Sequence, residues 1–410
     1  MIKQPREISK IMTTISNAGY EVYCAGECVL ASYAGEEPTE WDLFTNCPQD
    51  KLNSLLEGGE ALGNRIMRID SSEDNAGLVT DIVTMSSSIE EQLGAYDFTV
   101  ETIAENPQKP TVDLNNGIAD IKDLILKPVS DFDAAVKKNP VKLLKPIKYV
   151  ALYNFDLTKQ LSEIIMKNAD ALLDADKEDV LYELMQMMTG QYAGKALKMI
   201  VGLNLLQGIV GPENVNLSRR GMDEFETLAD NMHKLKPVAL RRLALFYMCF
   251  GKKAKAAVGY LPYEEIEAEY LSEAEMQLAN LHFLGTDESI KSYLYNNGWD
   301  KYNFMDMLAK AQAIVYDYST MKIEGRAHIL EIILAERHPI FIEDLAIDAD
   351  DIVEAGITDD IERAEYLLGL LPAIVHRKMK DNDRKKLLEH AKKLNRSGFR
   401  RTFRDVRWLR

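Results

Sequence analysis

The chain has few cysteines, no long apolar run and a shortage of positive charge. Only four of its 410 residues are cysteine: Cys24, Cys28, Cys47 and Cys249. That is too few for a disulfide framework, and no Cys-x-x-Cys pair is present to start a zinc site. Free thiols point to a reducing, cytoplasmic setting. No stretch of about 18 apolar residues occurs, so no transmembrane helix is expected. The polar N-terminus, MIKQPREISK, lacks the apolar core of a signal peptide. Lys and Arg number 49 against 65 Asp and Glu, a net charge of −16. Phosphate repels an acidic surface, so the balance of the whole chain speaks against nucleic acid.

The charge is unevenly spread. From His376 to Arg410 there are 14 Lys and Arg against 4 Asp and Glu, a local charge of +10 that leaves −26 on the rest. A basic arm on an acidic body suggests a polyanionic partner, although a solvated basic tail has the same composition. The arm mixes Arg400, Arg401, Arg404 and Arg407 with Phe399, Phe403 and Trp408. Guanidinium groups bind phosphate, and aromatic rings stack on unpaired bases. The same aromatics at spacings of four and five also suit a tail that docks on the body.

Residues 6–18 carry Ile8, Ile11, Met12 and Ile15 at helical spacing. Strand patterns follow at Tyr20–Ala25, Trp41–Thr45, Arg65–Ile69 and Leu78–Met85, with a helical stretch at Pro48–Leu56. After about residue 130 strand signals almost vanish. Helical runs are expected over 139–153, 158–174, 177–189, 222–235, 239–250, 263–284, 301–316, 322–336, 361–380 and 383–394. The expectation is an α+β head with a small mixed sheet, followed by an all-helical remainder.

The densest chemistry lies between Ala25 and Leu52. Glu40 and Asp42 flank Trp41 on an expected strand, so their side chains share a face. Converging carboxylates suit two-metal phosphoryl transfer, and Asp81 on a later strand could supply a third. An acidic pair on a solvent face has the same pattern.

The stretch resembles the head of the class II tRNA nucleotidyltransferases, the CCA-adding enzymes, and the related bacterial poly(A) polymerases. Their Gly-Gly-x-Val-Arg-Asp followed by Asp-x-Asp reads here as Gly26-Glu27-Cys28-Val29-Leu30-Ala31, then Glu40-Trp41-Asp42. Their Arg-Arg-Asp-Phe-Thr-Ile-Asn-Ala becomes Ala95-Tyr96-Asp97-Phe98-Thr99-Val100-Glu101-Thr102. Their Asp…Gly-Gly-x-x-Asp-Leu segment appears as Asp113 and Gly117-Ile118-Ala119-Asp120-Ile121. Their Glu-Asp-Pro-Leu-Arg helix becomes Lys138-Asn139-Pro140-Val141-Lys142, followed by Lys145, Lys148 and Tyr149. Likeness extends over roughly residues 6–395.

The resemblance implies a nucleotidyltransferase head (1–130), a helical neck that reads the base (131–205), a helical body (206–285) and a tail with the basic arm (286–410). It implies catalytic Glu40, Asp42 and Asp81, with Glu40 and Asp42 as metal ligands. Nucleotide contacts would come from Gly26, Asp97, Asn139, Lys142 and Lys145. RNA contacts would come from Lys148, Arg400, Arg401, Arg404 and Arg407. The implied partners are RNA, above all tRNA, and CTP or ATP, with Mg²⁺ as cofactor if the chain is active; membrane and DNA are not among them.

The departures bear on that activity. Glu27 replaces a loop glycine, and a carboxylate 4 Å from a phosphate charge is repelled by about 4 kcal/mol at intermediate dielectric. Leu30, Ala95, Tyr96 and Ser86 stand where the family has arginines, and each charged hydrogen bond lost is worth roughly 1.5–3 kcal/mol. Asn139 donates as well as accepts, and Lys142 lacks the planar fork of arginine, so C and A should be poorly told apart. Lys142, Lys145 and Lys148 recur every third residue and form a basic strip; Pro146 among them implies a kink or a late helix start. Met248 and Cys249 stand where an HD-type hydrolase needs its His-Asp pair, and His233 and His282 lack carboxylate partners at ligand spacing, which excludes a phosphohydrolase. Three readings remain: a diverged relative with weak or lost transfer, an active template-independent nucleotidyltransferase, and a non-catalytic helical scaffold.

Overall fold

The structure is a computed structural model that describes residues 2–71, 78–129 and 131–396. The described residues form two compact units. One runs to Ala239 and includes Ala256–Tyr263; the other holds Leu240–Lys255 and continues from Glu264. The boundary expected near residue 205 falls inside the first unit, and that near 285 inside the second. No helix among the described residues is long and apolar enough to cross a membrane.

The first unit opens with a helix at Arg6–Asn17, whose Ile8, Met12 and Ile15 are buried. Seven strands follow: β1 (Val22–Ala25), β2 (Glu40–Thr45), β3 (Glu60–Ala61), β4 (Ile66–Ser71), β5 (Leu78–Thr84), β6 (Ile103–Glu105) and β7 (Val112–Asp113). They make one sheet in the order β3-β4-β5-β2-β1-β6-β7. Only β2 and β5 run parallel; the other pairs are antiparallel. This is the expected small mixed sheet. Alternation decides its faces: Trp41, Leu43 and Thr45 of β2 and Leu78, Thr80 and Ile82 of β5 are buried, which turns Glu40, Asp42 and Asp81 to the other face.

Helices complete the unit. The run expected over 139–153 divides into a 3₁₀ turn at Pro140–Leu143 and a helix at Lys145–Tyr153. Pro146 sits in the first turn of that helix, where its missing N–H costs no helical hydrogen bond, so the late start holds and a kink does not occur. Helices at Phe132–Lys138 and Ala193–Gly202 went unread in the sequence. The second is flanked by Gly190 and ends on Gly202, a turn-like composition that hides it. It packs on the helix Arg219–Asn231 through Gly194, where a β-carbon would run into the Ala229 carbonyl oxygen.

The second unit is helical. Its long elements are Glu265–His282, Asp287–Tyr316 and Met321–Ala335, the middle one broken at Gly298, whose φ is +76°. Arg326 is fully buried and donates to Asp306 at 2.6 Å and to the Leu281 carbonyl at 3.2 Å. A terminal cluster packs Ile352, Leu367, Leu371, Val375 and Leu387 into its own core. The run expected over 361–380 stops at Leu370 and restarts at Pro372 for the same reason that Pro146 opens a helix.

Gly194→Ala should lower stability by about 1–3 kcal/mol through overpacking, read as a lower denaturation midpoint, because the Ala229 carbonyl cannot move without parting the two helices.

Candidate functional site

Pairing register builds the carboxylate face. Asp42 of β2 lies directly opposite Asp81 of β5, and Asp81 lies directly opposite Arg68 of β4. Directly opposed residues on paired strands point to the same side of a sheet. Glu40, two residues before Asp42, joins them. Arg68 closes its fork on Asp81, Nε to Oδ1 at 2.7 Å and Nη2 to Oδ2 at 2.7 Å. Among the described residues Asp42 makes no ion pair of its own. Burial pushes its carboxyl up to about 6, and the neighbouring Asp81, Glu27 and Glu40 push in the same direction.

This face lines a cavity of about 590 Å³. Glu27, Glu36, Glu37, Glu40, Asp42 and Asp81 supply its carboxylates; Arg68 and Lys148 supply its cations. Lys148 is buried, 3.3 Å from Glu183 and 3.6 Å from Glu27. Both cations therefore already have carboxylate partners. Trp41, Tyr153 and Tyr182 add aromatic surface to the walls.

Gly26 precedes the helix Glu27–Ala34 with φ at +81°, a conformation that glycine adopts without strain. A β-carbon there would meet the Tyr96 hydroxyl at 2.5 Å, so the tyrosine packs directly on the loop that should hold phosphate. Burial and the nearby Asp42 and Glu101 raise the Tyr96 hydroxyl above its ordinary pKa, so it stays protonated at neutral pH.

The remaining expected contacts form a second network. Asp97 is buried and takes Lys142 Nζ on both oxygens, at 2.7 and 2.9 Å. Lys145 lies 2.6 Å from buried Glu101 and 3.5 Å from Asp97. Burial works against the Lys145 charge, but Glu101 and Asp97 outweigh it and hold its pKa above the ordinary value. Tyr149 donates to Glu101 at 2.9 Å. Asn139 caps the 3₁₀ turn, its Oδ1 accepting from Val141 N at 3.3 Å. Asp113 accepts from the backbone N–H groups of Gly117 and Ile118, and Asp120 accepts from Thr99 at 2.6 Å, so these motif residues hold the fold.

Glu40, Asp42, Asp81 and Lys148 thus line one cavity. Gly26 borders it through Glu27, whereas Asp97, Asn139, Lys142 and Lys145 are engaged elsewhere within the protein. Arg400, Arg401, Arg404 and Arg407 lie outside the described residues. The sequence reading missed Arg68, Glu101 and Glu183. Arg68 sat on an expected strand, but nothing local indicated that β4 would pair with β5.

The resemblance also implies magnesium, and the residues here do not fit it as they stand. Among the described residues no group of three or more His, Cys, Asp or Glu side chains could hold a metal ion. Glu40 and Asp42, the expected ligands, share a face, but both oxygens of the third carboxylate, Asp81, are taken by Arg68.

No known family profile matches the chain. Over 362 residues it is 21% identical to the CCA-adding enzyme of Levilactobacillus brevis, covering 85% of this chain and 87% of that one. It is also 21% identical over 251 residues to poly(A) polymerase I of Escherichia coli O6:H1, covering 55% of this chain and 54% of that one. The crystal structure of the Bacillus stearothermophilus CCA-adding enzyme in complex with CTP matches with a TM-score of 0.77 at 16% identity, covering 96% and 99% of the two chains. The Thermotoga maritima CCA-adding enzyme complexed with tRNA matches with a TM-score of 0.60 at 16% identity, covering 95% of each chain. The fold is that of the CCA-adding enzymes. In sequence the chain is similar to the CCA-adding enzymes and the bacterial poly(A) polymerases.

Asp42→Asn should stabilise the protein at pH 7–8 and leave it unchanged below about pH 4. A carboxyl whose pKa is raised on folding binds more protons folded than unfolded, so its cost develops as pH climbs from about 4 to 6. The gain should be about 3 kcal/mol, measured by denaturant unfolding at pH 4 and pH 8.

Proposed function

We propose that this chain is a diverged member of the CCA-adding enzyme and poly(A) polymerase family whose triphosphate site no longer works, leaving RNA or nucleotide binding with weak or no transfer. The observation that carries the reading is the state of the cations. Arg68 and Lys148 in the cavity, and Lys142 and Lys145 beside it, each face protein carboxylates. A nucleoside triphosphate brings several negative charges to a wall that already holds six carboxylates. It would have to displace these ion pairs or bind without them, and the Tyr96 hydroxyl occupies the approach to Gly26.

RNA, above all tRNA, remains the partner class, because the relatives of this fold include an enzyme complexed with tRNA. The bound CTP of another relative makes CTP or ATP the nucleotide to test. A second reading, an active template-independent nucleotidyltransferase, draws support from the in-register carboxylates of β2 and β5.

Incubation of tRNA lacking its 3′ end with labelled CTP or ATP, in Mg²⁺ or Mn²⁺, separates the two. The expected outcome is no incorporation above background, with retarded migration of the tRNA by the protein. Incorporation that Asp42→Asn abolishes would establish the active reading.

A further inference from the structure

We propose that the Arg68 guanidinium is a fixed counter-ion for the carboxylate face and stands in for the divalent cation that the family resemblance implies. The face presents Glu40, Asp42 and Asp81 on two parallel strands in register. Like charges so placed need a positive partner. Strand β4 supplies it from the directly opposed position, and the fork covers both Asp81 oxygens at 2.7 Å. A planar bidentate pair has the geometry that guanidinium forms best with a carboxylate. Magnesium asks for near-octahedral oxygen ligands and releases its waters reluctantly. To use Asp81 it would have to share oxygens that already accept from the guanidinium and sit beside a positive charge.

The other cation of the cavity cannot take this role. Lys148 is committed to Glu183 and Glu27 and does not pair with the three carboxylates on the strands. Arg68 itself is accessible, its side chain 44% exposed. Its removal therefore opens Asp81 to solvent without emptying a core position. The assignment deepens the reading of a disabled site, since it names the residue that closes the metal position.

The test is metal binding by the full chain, read from the free Mn²⁺ signal in electron paramagnetic resonance. Arg68→Ala should bind Mn²⁺ at least about tenfold more tightly than wild type, since a repelling charge is gone and a carboxylate is freed. Arg68→Lys, which keeps the charge and loses the fork, should stay within about threefold of wild type. Adding Asp42→Asn to Arg68→Ala should remove the gain. Circular dichroism establishes that each variant is folded. Equal Mn²⁺ affinity in wild type and folded Arg68→Ala overturns the assignment, as does a gain that survives Asp42→Asn. Wild type that binds Mn²⁺ as tightly as folded Arg68→Ala yet transfers no nucleotide overturns this assignment alone. Nucleotide transfer by wild type, with the variants ranked as expected, overturns the proposed function alone.

Discussion

The pairing of β2 with β5 is the constraint on which the site depends. Its parallel register sets Asp42 against Asp81, and the sheet leaves them no freedom to separate. Two carboxylates held together on a half-buried face must be offset by a cation or pay in protonation. Both happen here. Asp81 is offset by Arg68, and Asp42, without an ion pair among the described residues, has its carboxyl pushed up to about 6. The same register that could assemble a metal site therefore assembles an ion pair, and the difference lies in one side chain on the next strand.

Internal neutralisation recurs in the neck-side network. Asp97 and Glu101 are buried and would be costly without partners; Lys142 and Lys145 supply the charge and Tyr149 a hydrogen bond. Removing one partner from such a buried set typically costs about 3–5 kcal/mol, because the other charge is left uncompensated. The lysines of the basic strip are thus structural fasteners between the sheet side and the helix Lys145–Tyr153. A ligand phosphate could recruit them only by leaving Asp97 and Glu101 unpaired.

Much of this was legible in the sequence. Period-two alternation in β2 placed Glu40 and Asp42 on one face, Asp81 stood out as a third candidate on a later strand, and Pro146 marked either a kink or a late helix start. The motif order indicated the fold. What remained hidden was non-local. Neither β4–β5 pairing nor the approach of Lys142 to Asp97 leaves a local trace, so Arg68 read as an ordinary strand arginine and the lysines as a free basic strip. Glu27 was expected to repel phosphate; it lies in the cavity with Lys148 3.6 Å away, so its charge is present but partly offset.

The family-like residues separate into two physical kinds. Gly26, Asp113, Gly117 and Asp120 satisfy demands of the backbone itself: a positive φ, two N–H groups at a helix start, a close approach to the Thr99 carbonyl, a bond to the Thr99 hydroxyl. Their loss would cost folding free energy whether or not a ligand ever binds. The positions that would grip phosphate carry no such demand, because a ligand is their partner and the folded chain does without it. Leucine, alanine, tyrosine and serine can stand there at little structural cost, and Tyr96 even gains packing against Gly26. A fold of this kind can therefore stay intact whatever stands at the ligand-facing positions, provided that the carboxylates on its face are given an internal counter-ion. Arg68 meets that condition on the sheet, and the lysines meet it beside the helix.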